Sequence, residues 1–325
     1  MRNKSCVPGI PELSYEMISE KTVFILGAGA SQPYRFPVGV ELNKRIYEWV
    51  TSTKGLKDLQ KQFLLKQTSE IKRMATSLLR AEVSIDVWLA QNLQYSEVGK
   101  FCIGKFICET ENSETLFNGE WYADLFRRLL PPELPGGPGK VEDLNKNDVT
   151  FVTFNYDRSL EQALWMKARA LFPTKPEMCD DVISNLQIIH LHGQVGRLPW
   201  QKENKFLEGT TIRDYKPDFK VGGLFLNSGI KVIAETERDT PEYAEARAKL
   251  LEAKRIHFLG VGYDPINLSR LKFGTGRSKA PISGTHLGLP LPRKKLLESD
   301  GAEFEMPITF EGMPATITEY FRQIV

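Results

Sequence analysis

The chain has 325 residues, enough to bury a sizeable core in one large or two modest domains. Its 43 Lys plus Arg against 41 Asp plus Glu leave a net charge of +2, which argues against a broad phosphate-binding surface and so against a direct nucleic-acid face. No stretch is apolar for long enough to cross a bilayer, and Met1-Arg2-Asn3-Lys4-Ser5-Cys6-Val7-Pro8 lacks the apolar core of a signal peptide, so a cytoplasmic protein without a membrane partner is expected. Among Cys6, Cys102, Cys108 and Cys179 no Cys-x-x-Cys pair occurs, which leaves a four-thiolate zinc site without support, and no metal is expected. Cys102 and Cys108 sit in an apolar, helical-looking run and read as reduced core thiols.

Lys21-Thr22-Val23-Phe24-Ile25-Leu26 is a β-rich run leading into Gly27-Ala28-Gly29-Ala30-Ser31, a buried strand entering a tight glycine turn. Past a loop bracketed by Pro33 and Pro37, residues 38–50 carry Leu42, Ile46 and Trp49 at helical spacing. Residues 56 to about 130 are predicted mostly helical. Leu64, Ile71, Met74 and Leu78 follow a helix period, and Ser84 or Asp86 starts a helix bearing Val87, Trp88 and Leu89. A last helix holds Trp121, Leu125, Phe126, Leu129 and Leu130, and the Pro- and Gly-rich run 131–139 breaks the pattern as an exposed loop. Beyond it strands (149–154, 186–191, 256–259) alternate with helices (159–171, 241–253). That alternation predicts an α/β fold: one domain over residues 1–325, with a Rossmann-like, mostly parallel sheet covered on both faces and a helical insertion at about 50–145. Residues 199–229, rich in Gly, aromatics and charge, resist assignment, and Arg293-Lys294-Lys295 reads as a solvated helix end.

A strand–Gly-x-Gly–helix turn suits dinucleotide phosphates, because glycine lets the backbone approach closely and a following helix N-terminus offers free N–H donors. Here Gln32 stands where a third glycine would complete Gly-x-Gly-x-x-Gly, and Glu48, at the distance of the usual ribose-binding acid, lies inside the predicted 38–50 helix. An ordinary dehydrogenase is therefore disfavoured, and a glycine turn serving only strand–helix packing stays open. Three later strand ends also collect polar or glycine residues: Asn155 and Asp157, His190 and His192, and Gly260 and Gly262. Carboxyl ends of strands are where an open α/β sheet puts its ligand. Plainer readings exist too: Asn155 and Asp157 could cap the helix near Ser159, and His190 and His257 read as satisfied core residues.

Taken in order, Gly27-Ala28-Gly29-Ala30-Ser31, Thr153-Phe154-Asn155-Tyr156-Asp157, Leu191-His192-Gly193 and Phe258-Leu259-Gly260-Val261-Gly262-Tyr263 resemble the motifs of the sirtuin-like family. The likeness is to its divergent bacterial branch associated with antiphage defence, and runs from about Lys21 to Leu271. Protein-deacetylating members carry two zinc-binding cysteine pairs and an Asp-Phe-Arg segment after the first motif. This chain has neither, and Arg35-Phe36-Pro37-Val38-Gly39 occupies that region. The resemblance therefore implies a sirtuin-like NAD-binding domain that takes NAD as substrate and hydrolyses it to ADP-ribose and nicotinamide.

Nicotinamide leaves NAD as a neutral base, so no general acid is needed, and the enzyme's task is to position water against an oxocarbenium-like ribose. Asn155 can orient that water through its amide, and His192 is suited to accept from a ribose hydroxyl near neutral pH. By resemblance, Asp157 holds the nicotinamide carboxamide, Gly27, Ala28, Gly29 and Ser31 cradle the pyrophosphate, and Gly260 and Gly262 allow close approach on the adenosine side. A linear or a cyclic product is left open. So are a non-catalytic module sensing NAD or an ADP-ribose derivative, and a protein deacylase or ADP-ribosyltransferase. An enzyme that drains NAD needs a switch, so a homo-oligomer or a regulatory partner such as an ATPase or a nucleic-acid-guided protein is expected. Helix faces around Leu64, Ile71, Leu78 and Trp88 are the candidate contacts, burial in their own bundle being the plainer reading.

Overall fold

The computed structural model describes residues 17–63, 68–117, 120–132, 139–219, 229–232, 240–271, 280–299, 307–310, 312–323 and 325. Cys6, Leu64 and parts of the 131–139 and 199–229 segments lie outside them. Five strands form one parallel sheet: β1 (Thr22–Leu26), β2 (Val149–Thr153), β3 (Gln187–His190), β4 (Arg255–Leu259) and β5 (Ile282–Gly284), in the spatial order β3-β2-β1-β4-β5. Every residue of β1 and β2 is buried. Strands covered on both faces need apolar and β-branched residues throughout rather than an alternation, which is what their sequences supply. Their side chains still point alternately into two cores. Phe24, Leu26, Phe151 and Leu259 join one that takes in the helices after β1, while Val23, Ile25, Val152, Ile256 and Phe258 join a second with Tyr243, Leu250, Leu268 and Leu297. The fold is α/β and Rossmann-like.

Between β1 and β2 the chain forms α1 (Gly39–Thr51), α2 (Thr53–Phe63), α3 (Ser69–Arg80), α4 (Ile85–Gln91), α5 (Ser96–Thr110) and α6 (Trp121–Leu129). The helical segment thus begins earlier than residue 50. On α1 the buried Leu42, Ile46 and Val50 recur every fourth residue, and on α3 Ile71, Met74, Ala75 and Leu78 make the same stripe. Ser84, not Asp86, caps α4, its hydroxyl accepting from Val87 N at 3.4 Å. Ile71, Leu78 and Trp88 are all buried. The stripe that marks them is used inside the bundle, the plainer of the two readings that the sequence allowed.

Further on, α7 (Ser159–Leu171) and α8 (Pro176–Ser184) lie between β2 and β3, α9 (Pro241–Glu252) precedes β4, and α10 (Pro265–Arg270), α11 (Leu291–Glu298) and α12 (Ile317–Gln323) follow. The helices α8, α10 and α12 and the short strand β5 escape the sequence reading, and of α11 only the basic run 293–295 is read, as a helix end. The described part of 199–229 is turn-rich, pinned by Arg197 N to Thr211 O at 2.7 Å and Arg213 N to Arg197 O at 2.9 Å. Cys102, Cys108 and Cys179 are buried free thiols. No described helix is long and apolar enough to cross a membrane.

An ionic staple ties the helical segment to the rest. Glu111, just past α5, and Arg158, just before α7, are both fully buried. Arg158 donates through Nε and Nη2 to the two Glu111 oxygens at 2.9 and 2.7 Å, a planar fork on a carboxylate. Arg213 also bonds Glu111, and Arg158 donates to the carbonyls of Arg213 (2.9 Å) and Asp214 (3.1 Å), so three stretches of chain meet here. Removing one partner of a buried pair leaves the other charge uncompensated, at a cost of about 3–5 kcal/mol. Glu111→Ala is therefore expected to lower the urea midpoint sharply, whereas Glu252→Ala, which breaks the exposed 2.8 Å pair with Lys21, should barely move it. Equal midpoints for the two variants would refute the staple.

Candidate functional site

The strand order reverses between β1 and β4, and such a switch point opens a crevice outside the strands' carboxyl ends. The register sets Leu26 level with Thr153 on one side and Leu259 on the other, so Gly27, Phe154 and Gly260 start three loops at one height. Two of these loops are laced together, with Gly27 N donating to Leu259 O at 3.0 Å and Gly29 N to Gly260 O at 2.9 Å. A Cβ on Gly27 would lie 2.5 Å from Gly260 O, and one on Gly260, whose φ is +62°, would lie 2.2 Å from Ala30 N. Main chain meets main chain, and only glycine fits.

This loop departs from the strand–glycine–helix turn expected. Two 3-10 turns, Ala28–Ala30 and Gln32–Tyr34, follow β1, and the first α-helix begins only at Gly39. Ala30 N bonds Gly27 O at 2.9 Å and Ser31 N bonds Ala28 O at 3.2 Å. With Gly27 and Gly29 also engaged, Ala28 carries the one N–H of residues 27–31 not taken up by a main-chain carbonyl among the described residues.

Two clefts flank the laced loops. One, of about 540 Å³, is walled by Ser31, Asn155, Asp157 and His192 from the sheet side and by Val83, Ile85 and Asp86 from the helical segment. The other, of about 570 Å³, is lined by Gly29, Gln32, Gly260, Thr285, Leu287 and residues 315–318. Ala28, Val38, Gly39 and Gly262 belong to both, so the clefts adjoin across the loop. Gly262 faces open space, since a Cβ there would meet nothing within 4 Å. Gly27 is buried and lines neither cleft. A further cavity of about 270 Å³ lies at the opposite, amino ends of β1 and β4, lined by Thr22, Arg255 and His257.

Asn155 is half-buried in the wall of the first cleft. Its Nδ2 donates to Gly27 O at 2.9 Å and Ser31 Oγ at 3.1 Å. A carbonyl only accepts, so the Gly27 bond fixes which way the amide points. Oδ1 has no hydrogen-bond partner among the described residues. Asp157 is buried and accepts from Ser159 N at 3.1 Å and from Ser159 Oγ. It therefore caps the start of α7, and burial pushes its carboxyl above the usual carboxylate range. Ser159 links this cap to Tyr122 OH (2.6 Å) and Ser31 Oγ (3.4 Å). Tyr122 comes from α6, stacks on Tyr34 at 4.0 Å between ring centroids, and donates its N–H to Tyr34 OH at 2.9 Å. Next to it Trp121 Nε1 donates to Ala30 O at 2.8 Å. One helix of the insertion thus grips the glycine loop from behind.

The two histidines differ in what holds them. His190 ends β3, with Nδ1 on Asn155 O at 2.9 Å and Nε2 on Glu161 Oε1 at 2.6 Å. Burial disfavours its charge, but the Glu161 carboxylate and the Asn155 carbonyl together outweigh that and hold its pKa above the usual histidine value. His190 therefore fixes the backbone that carries Asn155. His192 lies past the strand end, 1% exposed, with Nε2 3.0 Å from Tyr243 OH and Nδ1 buried without a partner. Burial, reinforced by Arg270, pushes its pKa down to about 3, so the ring is neutral. Gly193 leaves no space for a ligand beside it. Its φ of +69° turns the chain against residue 229, whose carbonyl oxygen would sit 1.8 Å from a Cβ. His257 is a core residue, bonded through Nδ1 to Tyr320 OH at 2.8 Å.

Sequence reasoning missed three groups in the first cleft. Asp86 stood out only as a helix start, yet its carboxylate accepts from Tyr156 OH at the cleft wall. Asp264 caps α10, accepting from Ile266 N (2.9 Å) and Asn267 N (3.2 Å). Arg293 is no solvated helix end: it is half-buried, lines the cleft and donates to Tyr263 O at 2.6 Å. Among the described residues no group of three or more His, Cys, Asp or Glu side chains could hold a metal ion. No protein-family model matches the chain, and a search of curated proteins finds no match either.

The His190–Glu161 pair carries a pH dependence whose sign follows from its raised pKa. The charged pair contributes fully below the unfolded histidine value near 6.5 and is lost as pH climbs through the folded value. The melting temperature should fall as pH rises above about 6.5, and Glu161→Gln should flatten that fall. An unchanged slope in the variant would contradict the assignment.

Proposed function

We propose that the protein hydrolyses NAD to ADP-ribose and nicotinamide in the paired cleft. The observation that carries this reading is the Asn155 amide, whose nitrogen is held by Gly27 O and Ser31 Oγ while Oδ1 is left, among the described residues, as a fixed, unpartnered acceptor in the cleft that His192 also lines. A water donating to Oδ1 would keep a lone pair free for the ribose carbon. The C–O bond forms as the glycosidic C–N bond breaks with its electron pair onto the pyridinium nitrogen, nicotinamide leaves neutral, and the water gives up one proton. His192, neutral and weakly basic, accepts a hydrogen bond from a ribose hydroxyl rather than storing that proton.

Charge orients the substrate. The Asn155 cleft is mostly apolar, with Glu82, Asp86, Asp157 and Asp264 outnumbering Arg293 in its wall, surroundings that favour the cationic nicotinamide ribose. Among the described residues the second cleft is lined by no charged side chain, and it suits the adenosine half, with the pyrophosphate crossing at Ala28 and Gly262. By the resemblance in its motifs, the role we assign is depletion of NAD as an antiphage-defence effector. A second reading, a non-catalytic module sensing NAD or ADP-ribose, is favoured by one observation: His192 is too weak a base to take the proton.

Purified protein mixed with NAD is expected to release nicotinamide and ADP-ribose, assayed across protein concentrations so that dependence on self-association is read in the same series. Asn155→Ala should lower turnover about 30- to 1,000-fold, equivalent to ~2–4 kcal/mol for a group that positions water. It should also lose about 1 kcal/mol of stability with its bond to Gly27. NAD binding without product at any concentration decides for the sensing module, and undiminished turnover in Asn155→Ala would sink the role given to that residue.

A further inference from the structure

On the NAD reading, hydrolysis releases a proton that neither Asn155, an amide, nor His192, a neutral and weakly basic ring, can hold. The cleft wall offers carboxylates instead, and they differ in what already occupies them. Asp157 is buried and bonded to Ser159, and Asp264 is engaged in capping α10. Glu82 sits on an exposed turn after α3. Asp86 is half-buried in the first turn of α4, and Tyr156, the residue after Asn155, donates its hydroxyl to Oδ1. The Tyr156 ring lies 6.0 Å from that of His192, centroid to centroid. A carboxylate accepts at both oxygens, so this bond leaves capacity for a second donor.

We propose that Asp86 is a catalytic residue supplied by the helical segment, its carboxylate accepting the proton of the attacking water as the water oxygen bonds to the ribose carbon. The electron pair of the broken C–N bond goes to nicotinamide, and the proton passes from Asp86 to solvent after the products leave. Burial raises the Asp86 pKa to about 6, against the pull of the Tyr156 hydroxyl and its own backbone N–H and with a further push from the Asp264 charge. That value suits a base working near neutral pH. Tyr243 also faces this carboxylate, and Glu82, Asp157, His192 and Arg293 complete the titratable and charged lining of the cleft.

The test is kcat and KM for NAD as a function of pH, at the protein concentration where wild-type turnover is highest. Wild-type kcat should fall on the acid side with a midpoint near 6. Asp86→Asn should lose about 100-fold or more in kcat, with KM changed by less than about threefold, and should lose the acid limb. Tyr156→Phe should keep the limb but move it to higher pH, because its hydroxyl favours the ionised carboxylate. A structural role would lower the amount of folded protein without moving that midpoint. Wild-type kcat and an intact limb in Asp86→Asn overturn the proposal and leave the NAD reading standing. Should Asp86→Asn fail to fold, an unmoved limb in Tyr156→Phe overturns it alone. If the wild type releases no nicotinamide at any concentration, both fall.

Discussion

Main-chain contact between the loops after β1 and β4 is the constraint on which the rest of the site depends. Two hydrogen bonds, from Gly27 N to Leu259 O and Gly29 N to Gly260 O, hold the loops at a separation that no Cβ tolerates at residues 27 or 260. The lacing turns the switch point of an open sheet into a ridge with a cleft on either side. It also explains why the glycines recur at 27, 29 and 260 without reference to any ligand. What the ridge leaves for a ligand is narrower: the Ala28 N–H, the Gly29 and Gly262 surfaces, and the Ser31 side chain.

A ridge made of loops needs support, and the helices between β1 and β2 supply it. Trp121 and Tyr122 reach the glycine loop through Ala30 O and Tyr34, while Glu111 clamps Arg158 at the entry to α7. Tyr122, Ser159, Ser31 and Asp157 then form a continuous hydrogen-bonded chain behind Asn155. On its other side Asn155 is fixed through its own carbonyl by His190, itself held by Glu161. An amide that must orient one water gains from such immobilisation, because each partner removes a direction in which it could turn. The helical segment is therefore part of the site's framework as well as one wall of its cleft.

Much of this architecture was legible in the sequence, for identifiable reasons. β1 and β2 show as runs of Val, Ile, Phe and Thr because both faces are covered, and α7 shows from Ser159 to Leu171 because its spacing and its Asp157 cap agree. Asn155 and His192 stood out because polar residues directly after buried strands are seldom there for packing. The rest depended on contacts far apart in the chain. Nothing near Asp86 announces that Tyr156, seventy positions away, will donate to it. Neither the Gly27–Gly260 lacing nor the position of Arg293 has a local signature. The space beside Gly193 is likewise filled from far along the chain, by the carbonyl of residue 229.

The two clefts share an edge yet differ in kind, and that difference bears on what can bind across them. In the first, apolar side chains such as Phe36, Val38, Leu42 and Ile107 lower the local polarity around three aspartates, two of which are pushed above the ordinary carboxylate range by burial. Such an environment resists anions and gains by receiving a cation, because a positive group restores the stability that burial took from the carboxylates. In the second, hydroxyls, an amide and small side chains offer hydrogen bonds without net charge. A ligand spanning both must therefore be positive at one end, neutral at the other, and able to place any anionic linkage at the Ala28–Gly262 edge. An ordinary dinucleotide with two neutral bases meets only half of that condition. One with a pyridinium at one end and an adenine at the other meets all of it. On the proposed NAD reading the arrangement also bears on chemistry at the cationic end: as the glycosidic bond lengthened, positive charge would move from the pyridinium onto the ribose, towards the wall that carries Asn155 and Asp86.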